Sequence, residues 1–219
     1  MSGPFEAVIF DFDGVLARTM DDNFRAWRTA LQPVIPDLDR EEYLLLEGLP
    51  PKSVAEALLG VRGLPLDPVA DLVTRKEEAY LRDHSFALYP GIPELLERLA
   101  ARLPLGLVTG SGLNRLQSTL GGPLLSRFKA IVTADDRIPP KPSPEPYRAA
   151  ATRLGVAPAH CLVVENAPFG IRSAKAAGMT VVAVASTLSP VHLAEADQVV
   201  ADSLAMAEQV ERLLREGGP

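Results

Sequence analysis

Two aspartates, Asp11 and Asp13, stand two residues apart directly after the apolar run Phe5–Phe10 and just before Gly14. On an extended chain such a pair shares one face, with the two residues roughly 6–7 Å apart, twice the rise per residue. A turn at Asp13-Gly14 would let both carboxylates converge on one pocket. Alone, the tetrapeptide Asp11–Gly14 reads equally well as an Asp-Gly turn that closes a strand. Recurrence changes that balance. Thr109-Gly110-Ser111 end the run Leu105–Thr109, Lys141 lies in the loop after Ala130–Thr133, and Glu165-Asn166 close Leu162–Glu165. Acids, hydroxyls, an ammonium and an amide gathered in one place can move protons and balance charge.

Groups so scattered along the chain meet only if the runs that carry them are neighbouring strands of one sheet. The runs are short, apolar and partly β-branched, which is the pattern of parallel strands buried on both faces. Val181–Val184 and Gln198–Val200 continue the series, and segments of helical spacing separate the strands. Strand–helix alternation predicts an α/β fold, a Rossmann-like parallel sheet with helices on both faces. From about Ala17 to His84 the alternation fails. Helices are expected there over Asp22–Leu31, with Phe24, Trp27 and Leu31 at spacings of three and four, over Pro51–Leu59, and after Asp67-Pro68, read as an N-cap and a first-turn proline. The expected organisation is a core of residues 1–16 and 87–219 with an inserted α-helical cap at 17–86, standing over the carboxyl ends where open α/β sheets bind ligands.

Composition narrows the function classes. A net charge of −6 gives no general attraction to nucleic acid or an anionic membrane. No apolar stretch reaches the length of about 18 residues that a membrane span needs. The N-terminal MSGPFEAVIFDFDG has no basic region ahead of its apolar stretch, so a signal peptide is not expected and a cytoplasmic location is. The single cysteine, Cys161, heads an apolar run and reads as a buried filler.

In this order, Phe10–Leu16 (FDFDGVL), Val108–Ser111 (VTGS), Lys141-Pro142, Val163–Ile171 (VVENAPFGI) and Ala176–Met179 (AAGM) resemble the signatures of the haloacid dehalogenase superfamily across essentially the whole core. The chain is similar to the members with a helical cap after the first strand, including β-phosphoglucomutase-like phosphatases. The resemblance implies a phosphatase of small phosphorylated metabolites, of sugar phosphate or phosphoglycolate type. Asp11 would be the nucleophile that takes the phosphoryl group. Asp13 would protonate the leaving oxygen and then activate water. Thr109, Gly110, Ser111 and Lys141 would hold the phosphoryl oxygens. A carboxylate cluster of this kind suits Mg²⁺, with Asp11, the carbonyl of Asp13, and Glu165 or Asn166 as ligands.

Asn166 departs from the family pattern, which has a second acid there, so metal affinity is expected to rest on Glu165. Competing local readings make Asn166 an N-cap for a helix from Ala167, Thr109 a turn cap, and Lys141 a solvated loop residue. In the cap, Arg18 is the candidate for a second anionic group of the substrate, with an ion pair to Asp21 or Asp22 as its alternative; Asn23, Arg25 and Lys52 are weaker candidates. A phosphosugar mutase fits less well, because Asn23 and Pro51 stand where mutases carry histidine and arginine. A phospho-receiver or a non-catalytic binder of phosphorylated ligands is the alternative of another class. A monomer is expected, with a dimer compatible.

Overall fold

The computed structural model describes residues 5–85 and 87–216. Residues 1–4, 86 and 217–219, at the edges of the expected core and cap, lie outside the described residues. Six strands form one parallel sheet: β1 (Ala7–Phe10), β2 (Leu105–Val108), β3 (Phe128–Val132), β4 (Cys161–Glu165), β5 (Thr180–Val184) and β6 (Gln198–Val200), in the order β3-β2-β1-β4-β5-β6. The order reverses direction beside β1, which pairs with β2 on one side and β4 on the other. That reversal opens the crevice where such sheets take ligands.

The strand sequences explain the burial. Along β1, Ala7 and Ile9 enter one apolar cluster while Val8 and Phe10 enter the other, so alternate side chains feed the two faces of the sheet. All four are fully buried. Each larger one stabilises by about 1.5–3 kcal/mol relative to exposure, which is why a polar residue is tolerated only past the last rung. Asp11 occupies that place, its N–H still donating to Val164 O at 3.0 Å.

Between β1 and residue 85 the described residues form four helices and no strand: α1 (Met20–Leu31), α2 (Arg40–Leu44), α3 (Pro51–Gly60) and α4 (Val69–Asp83). Helix α1 packs along α4, and Trp27, Leu31, Leu58 and Leu72 join the same apolar cluster as Ala7 and Ile9. Pro68, not Asp67, holds the N-cap position of α4, with no side-chain cap. The short α2 lacks the length for a periodic signal; the Asp39 carboxylate secures it by accepting from the N–H groups of Glu41 and Glu42. The remaining helices are α5 (Ile92–Ala100), α6 (Leu113–Leu120), α7 (Gly122–Leu125), α8 (Glu145–Leu154), α9 (Pro168–Ala176) and α10 (Ser203–Glu216). No helix among the described residues is long and apolar enough to cross a membrane.

Candidate active site

The carboxyl ends of β1, β2 and β4 face a small cavity of about 40 Å³ whose walls include Asp11, Asp13, Gly110, Ser111 and Asn166 from the strand tips. Residues between the helices close it: Asn23, Trp27, Tyr43, Glu47, Lys76 and Val54. The anchor is Lys141. Its Nζ donates to Asp11 Oδ1 and to Glu165 Oε1, each at 2.6 Å, and the side chain is 3% exposed, so the solvated-loop reading fails. The loop from β3 delivers it, since α8 begins only at Glu145 and leaves residues 137–144 to cross the sheet edge.

Glu165 is spent on structure. Oε1 accepts from Lys141 and from the Tyr147 hydroxyl at 2.6 Å, while Oε2 accepts from the N–H groups of Asn166 at 2.9 Å and Ala167 at 3.3 Å. With 0% exposure and four donors, it has no oxygen to offer a cation, contrary to the expectation that it would carry the metal. Gly170 makes this packing possible, because a Cβ there would collide with the Glu165 carboxylate. Asn166 is the freer group. It does not cap a helix: α9 starts at Pro168 with Ala167 as its N-cap. Its Nδ2 donates to Thr187 Oγ1 at 3.1 Å, and its buried Oδ1 has no partner among the described residues. Gly14, at φ 82°, leaves room for that amide; a Cβ there would overlap Nδ2.

Asp13 is held from both sides. Oδ1 accepts from Thr19 Oγ1 at 2.5 Å, Asn23 Nδ2 at 3.3 Å and Arg115 Nη2 at 3.1 Å, and Oδ2 accepts from Ser111 Oγ at 3.0 Å. Burial works to raise its pKa, but the Arg115 guanidinium, the Thr19 hydroxyl and the Lys76 ammonium outweigh it and hold the carboxyl below its usual range. Asp11 goes the other way: burial, reinforced by Glu165 and opposed by Lys141, pushes it up to about 8. Burial would lower Lys141, but the Asp11 and Glu165 charges raise it above the ordinary lysine value. Two acids around one ammonium leave this corner short of positive charge.

The second strand tip differs in detail from expectation. Thr109 Oγ1 accepts from the Ser111 N–H at 3.0 Å, so that N–H is engaged within the turn rather than free for an anion. Thr109 lines the adjoining cavity of about 120 Å³ with Lys141 and Pro140 rather than the smaller one. From the β3 loop, Asp135 accepts from the Leu113 N–H at 2.8 Å, capping α6 where Gly112 has no side chain to do so.

Of the helical candidates, Asn23 alone lines the cavity. The Arg18 guanidinium lies 5.6 Å from the centre of the Tyr89 ring and not on the cavity wall, and neither Asp21 nor Asp22 is its partner: Arg40 pairs with Asp21 at 2.8 Å and Arg25 pairs with Asp22. Lys52 is 75% exposed and faces Glu56 at 3.7 Å. Lys76, Glu47 and Tyr43, which also close the cavity, were not singled out from the sequence. Lys76 is 2% exposed, near the rings of Trp27 and Tyr80, and burial together with the Arg115 charge lowers it to about 8. Burial, with Asp13 nearby, raises Glu47 well above the carboxylate range, and the Tyr43 hydroxyl donates to it. A signal existed for Lys76: it interrupts the buried stripe Leu72, Ala79, Tyr80 at helical spacing.

Comparison with known proteins agrees with this geometry. A family model described as haloacid dehalogenase-like hydrolase matches residues 8–184. The fructose-1-phosphate phosphatase YqaB of Escherichia coli (strain K12) is 32% identical over 188 residues, covering 82% of this chain and 96% of that protein. The β-phosphoglucomutase of Bacillus subtilis (strain 168) is 32% identical over 193 residues, covering 82% of this chain and 83% of its own. Among solved structures, a hydrolase from Pseudomonas syringae superposes with a TM-score of 0.85 at 27% identity, covering 95% of this chain and 99% of that one.

Proposed function

From the premise that the chain belongs to the haloacid dehalogenase-like hydrolases, we propose that it is a cytoplasmic phosphatase of small phosphorylated metabolites that passes the phosphoryl group through Asp11. One observation carries this reading: at the strand ends the Lys141 ammonium lies 2.6 Å from the Asp11 carboxylate, and Asp11 itself lines the small cavity. The relatives that hydrolyse sugar phosphates favour a phosphoric monoester hydrolase, with a sugar phosphate as the first substrate class to try. The segment 17–86 then serves as the cap that covers the bound ester.

A phosphate monoester dianion repels a carboxylate, so the site must neutralise charge before attack. Lys141 supplies one positive charge at the reacting corner, stiffened by Glu165 and Tyr147. Asp13, held by Ser111 and Thr19, is ionised in the resting site and takes up a proton from solvent as the dianionic ester enters beside it. Asp11 Oδ attacks phosphorus while Asp13 gives that proton to the leaving oxygen and afterwards takes one from the water that attacks the phosphoaspartate. The Ser111 hydroxyl is spent on Asp13, whereas the Thr109 hydroxyl accepts from the Ser111 N–H and keeps its own hydrogen to offer an oxyanion at the second strand tip.

The residues fit Mg²⁺. The unpartnered Asn166 Oδ1 lies on the cavity wall with Asp11, and oxygen donors are what a hard dication takes. Asp11, the Asp13 carbonyl and Asn166 would hold it. The ion would supply the positive charge this corner lacks, which also favours the ionised form of Asp11.

Release of p-nitrophenol from p-nitrophenyl phosphate, measured with Mg²⁺ and with EDTA, tests the proposal. Turnover that needs the metal, and that falls by about 10³ or more in Asp11→Asn, is expected. No turnover at any metal level would make the chain a binder instead. Given turnover, a panel of phosphorylated sugars, polyols and phosphoglycolate then ranks substrates.

A further inference from the structure

Arg115 has no part in the chemistry above, yet it is 8% exposed and reaches the cavity wall. It rises from α6, behind the second strand tip, and is the cation that touches the proposed acid. Nη2 donates to Asp13 Oδ1 at 3.1 Å and to Asn23 Oδ1 on α1 at 3.0 Å. Nη1 lies 3.9 Å from Glu77 Oε1 on α4, and the guanidinium carbon sits 3.8 Å from the centre of the Tyr80 ring. Its Nε is buried without a partner. A side chain that leaves one donor unsatisfied is placed for something other than its own hydrogen bonds.

The geometry points to Arg115 as the positioning residue for Asp13: its planar fork holds Oδ1 between the core and the two helices so that the carboxyl faces the leaving oxygen. This deepens the proposed hydrolase and rests on it. Arg115 makes no contact with Asp11 or Lys141, so it has no direct hold on attack at phosphorus. Two features make the fork, and not charge alone, the important part. Nη2 serves Asp13 and Asn23 while Nη1 faces Glu77, and the flat face lies over the Tyr80 ring, a combination of separate directions and a planar face that a single lysine ammonium does not reproduce. The Thr19 and Ser111 hydroxyls and the Asn23 amide also contact Asp13, but none of them carries a charge or reaches across from α6 to α4.

The test uses two leaving groups. p-Nitrophenolate departs without a proton, whereas a sugar or glycerol alkoxide needs one, so only the second reports on Asp13 as an acid. For Arg115→Met, kcat on glycerol phosphate or the best sugar phosphate is expected to fall at least roughly tenfold further than kcat on p-nitrophenyl phosphate, within the range that general acid catalysis supplies. Arg115→Lys should keep the fold, checked by its melting temperature, and show the same imbalance to a smaller extent. Equal losses on both substrates in Arg115→Lys, a loss confined to KM, or full recovery of the ratio by lysine would overturn the positioning role. Asp13→Asn separates this from failure of the function itself. If Asp13→Asn shows the imbalance and the Arg115 variants do not, the hydrolase stands and the role of Arg115 falls; if wild type turns over neither ester, the hydrolase falls.

Discussion

The cavity has two halves that are built by opposite means. On the sheet side, Asp11 follows β1, Glu165 ends β4 and Lys141 comes from the loop after β3, and their partners are close and many: Lys141 between Asp11 and Glu165, Glu165 among four donors. On the helical side, Lys76 and Arg115 are buried and Glu47 is half-buried by helices and a loop, and each carries an unmet demand: a lowered ammonium, a raised carboxyl, an Nε without a partner among the described residues. Strand tips are rigid and can over-determine their charges. The helical half pairs its charges too, Lys76 with Glu77 at 2.9 Å and Arg115 with Asp13 at 3.1 Å, but leaves these demands standing beside the pairs. Removing a charge should therefore ruin the first half and only retune the second.

The largest effect is expected at Lys141. Lys141→Met leaves Asp11 and Glu165 facing each other without a cation, so turnover of p-nitrophenyl phosphate should drop by about 10³ or more, and urea unfolding should show a loss of about 3–5 kcal/mol. A folded variant with activity within a few fold of wild type would erase the contrast. Next comes the amide. Asn166→Asp adds a formal charge where an oxygen already stands unpartnered, so the Mg²⁺ concentration for half-maximal turnover should fall about tenfold, near 1.4 kcal/mol. An unchanged requirement would move the metal elsewhere.

Lys76→Met sharpens the comparison from the helical side. Replacing a buried ammonium whose ion partner, Glu77 at 2.9 Å, is itself about a third exposed by an apolar side chain of similar length is often neutral or stabilising, so the melting temperature at pH 7 should hold or rise while kcat on sugar phosphates falls only several fold. The pH dependence carries a sign. Lys76 titrates near 8 in the folded chain and near 10.4 unfolded. Between those values the unfolded state binds more protons, and stability rises with pH. The deficit of wild type against Lys76→Met, full below pH 8, should therefore shrink as pH climbs toward about 10. Smallest of all, Lys52→Ala and Arg18→Ala, exposed or turned to Tyr89, should leave kcat and KM for any good substrate within about twofold.

The same division explains what the sequence made legible. β1 and β4, with four and five consecutive buried residues, end abruptly and make Asp11, Asp13, Glu165 and Asn166 conspicuous, while Lys141 stood out by its place in the proline-dense loop after β3. Which of Glu165 and Asn166 faced inward did not, because that depends on Tyr147 and on two N–H groups that fold back on Glu165. Lys76 lies in Thr74–Glu78 (TRKEE), which looks like a solvated helix face; only its place on the stripe of Leu72 and Tyr80 betrays burial. Arg115 looks like one more polar residue on a short helix, since its partners on α1 and α4 lie at sequence distances that periodicity does not reach. Arg18, conspicuous beside the aspartates, was drawn away by an aromatic ring 71 residues further along.

The claim beneath all of this is that the Asp11 carboxylate becomes covalently attached to phosphorus. Acid-quenching the enzyme during Mg²⁺-supported turnover, reducing it with borohydride and sequencing the N-terminal peptide by mass spectrometry tests that directly, because an aspartyl phosphate is reduced to homoserine and a free aspartate is not. Homoserine at position 11, absent without substrate, is the result predicted. Full turnover with position 11 left as aspartate, or homoserine at another acid, would contradict it.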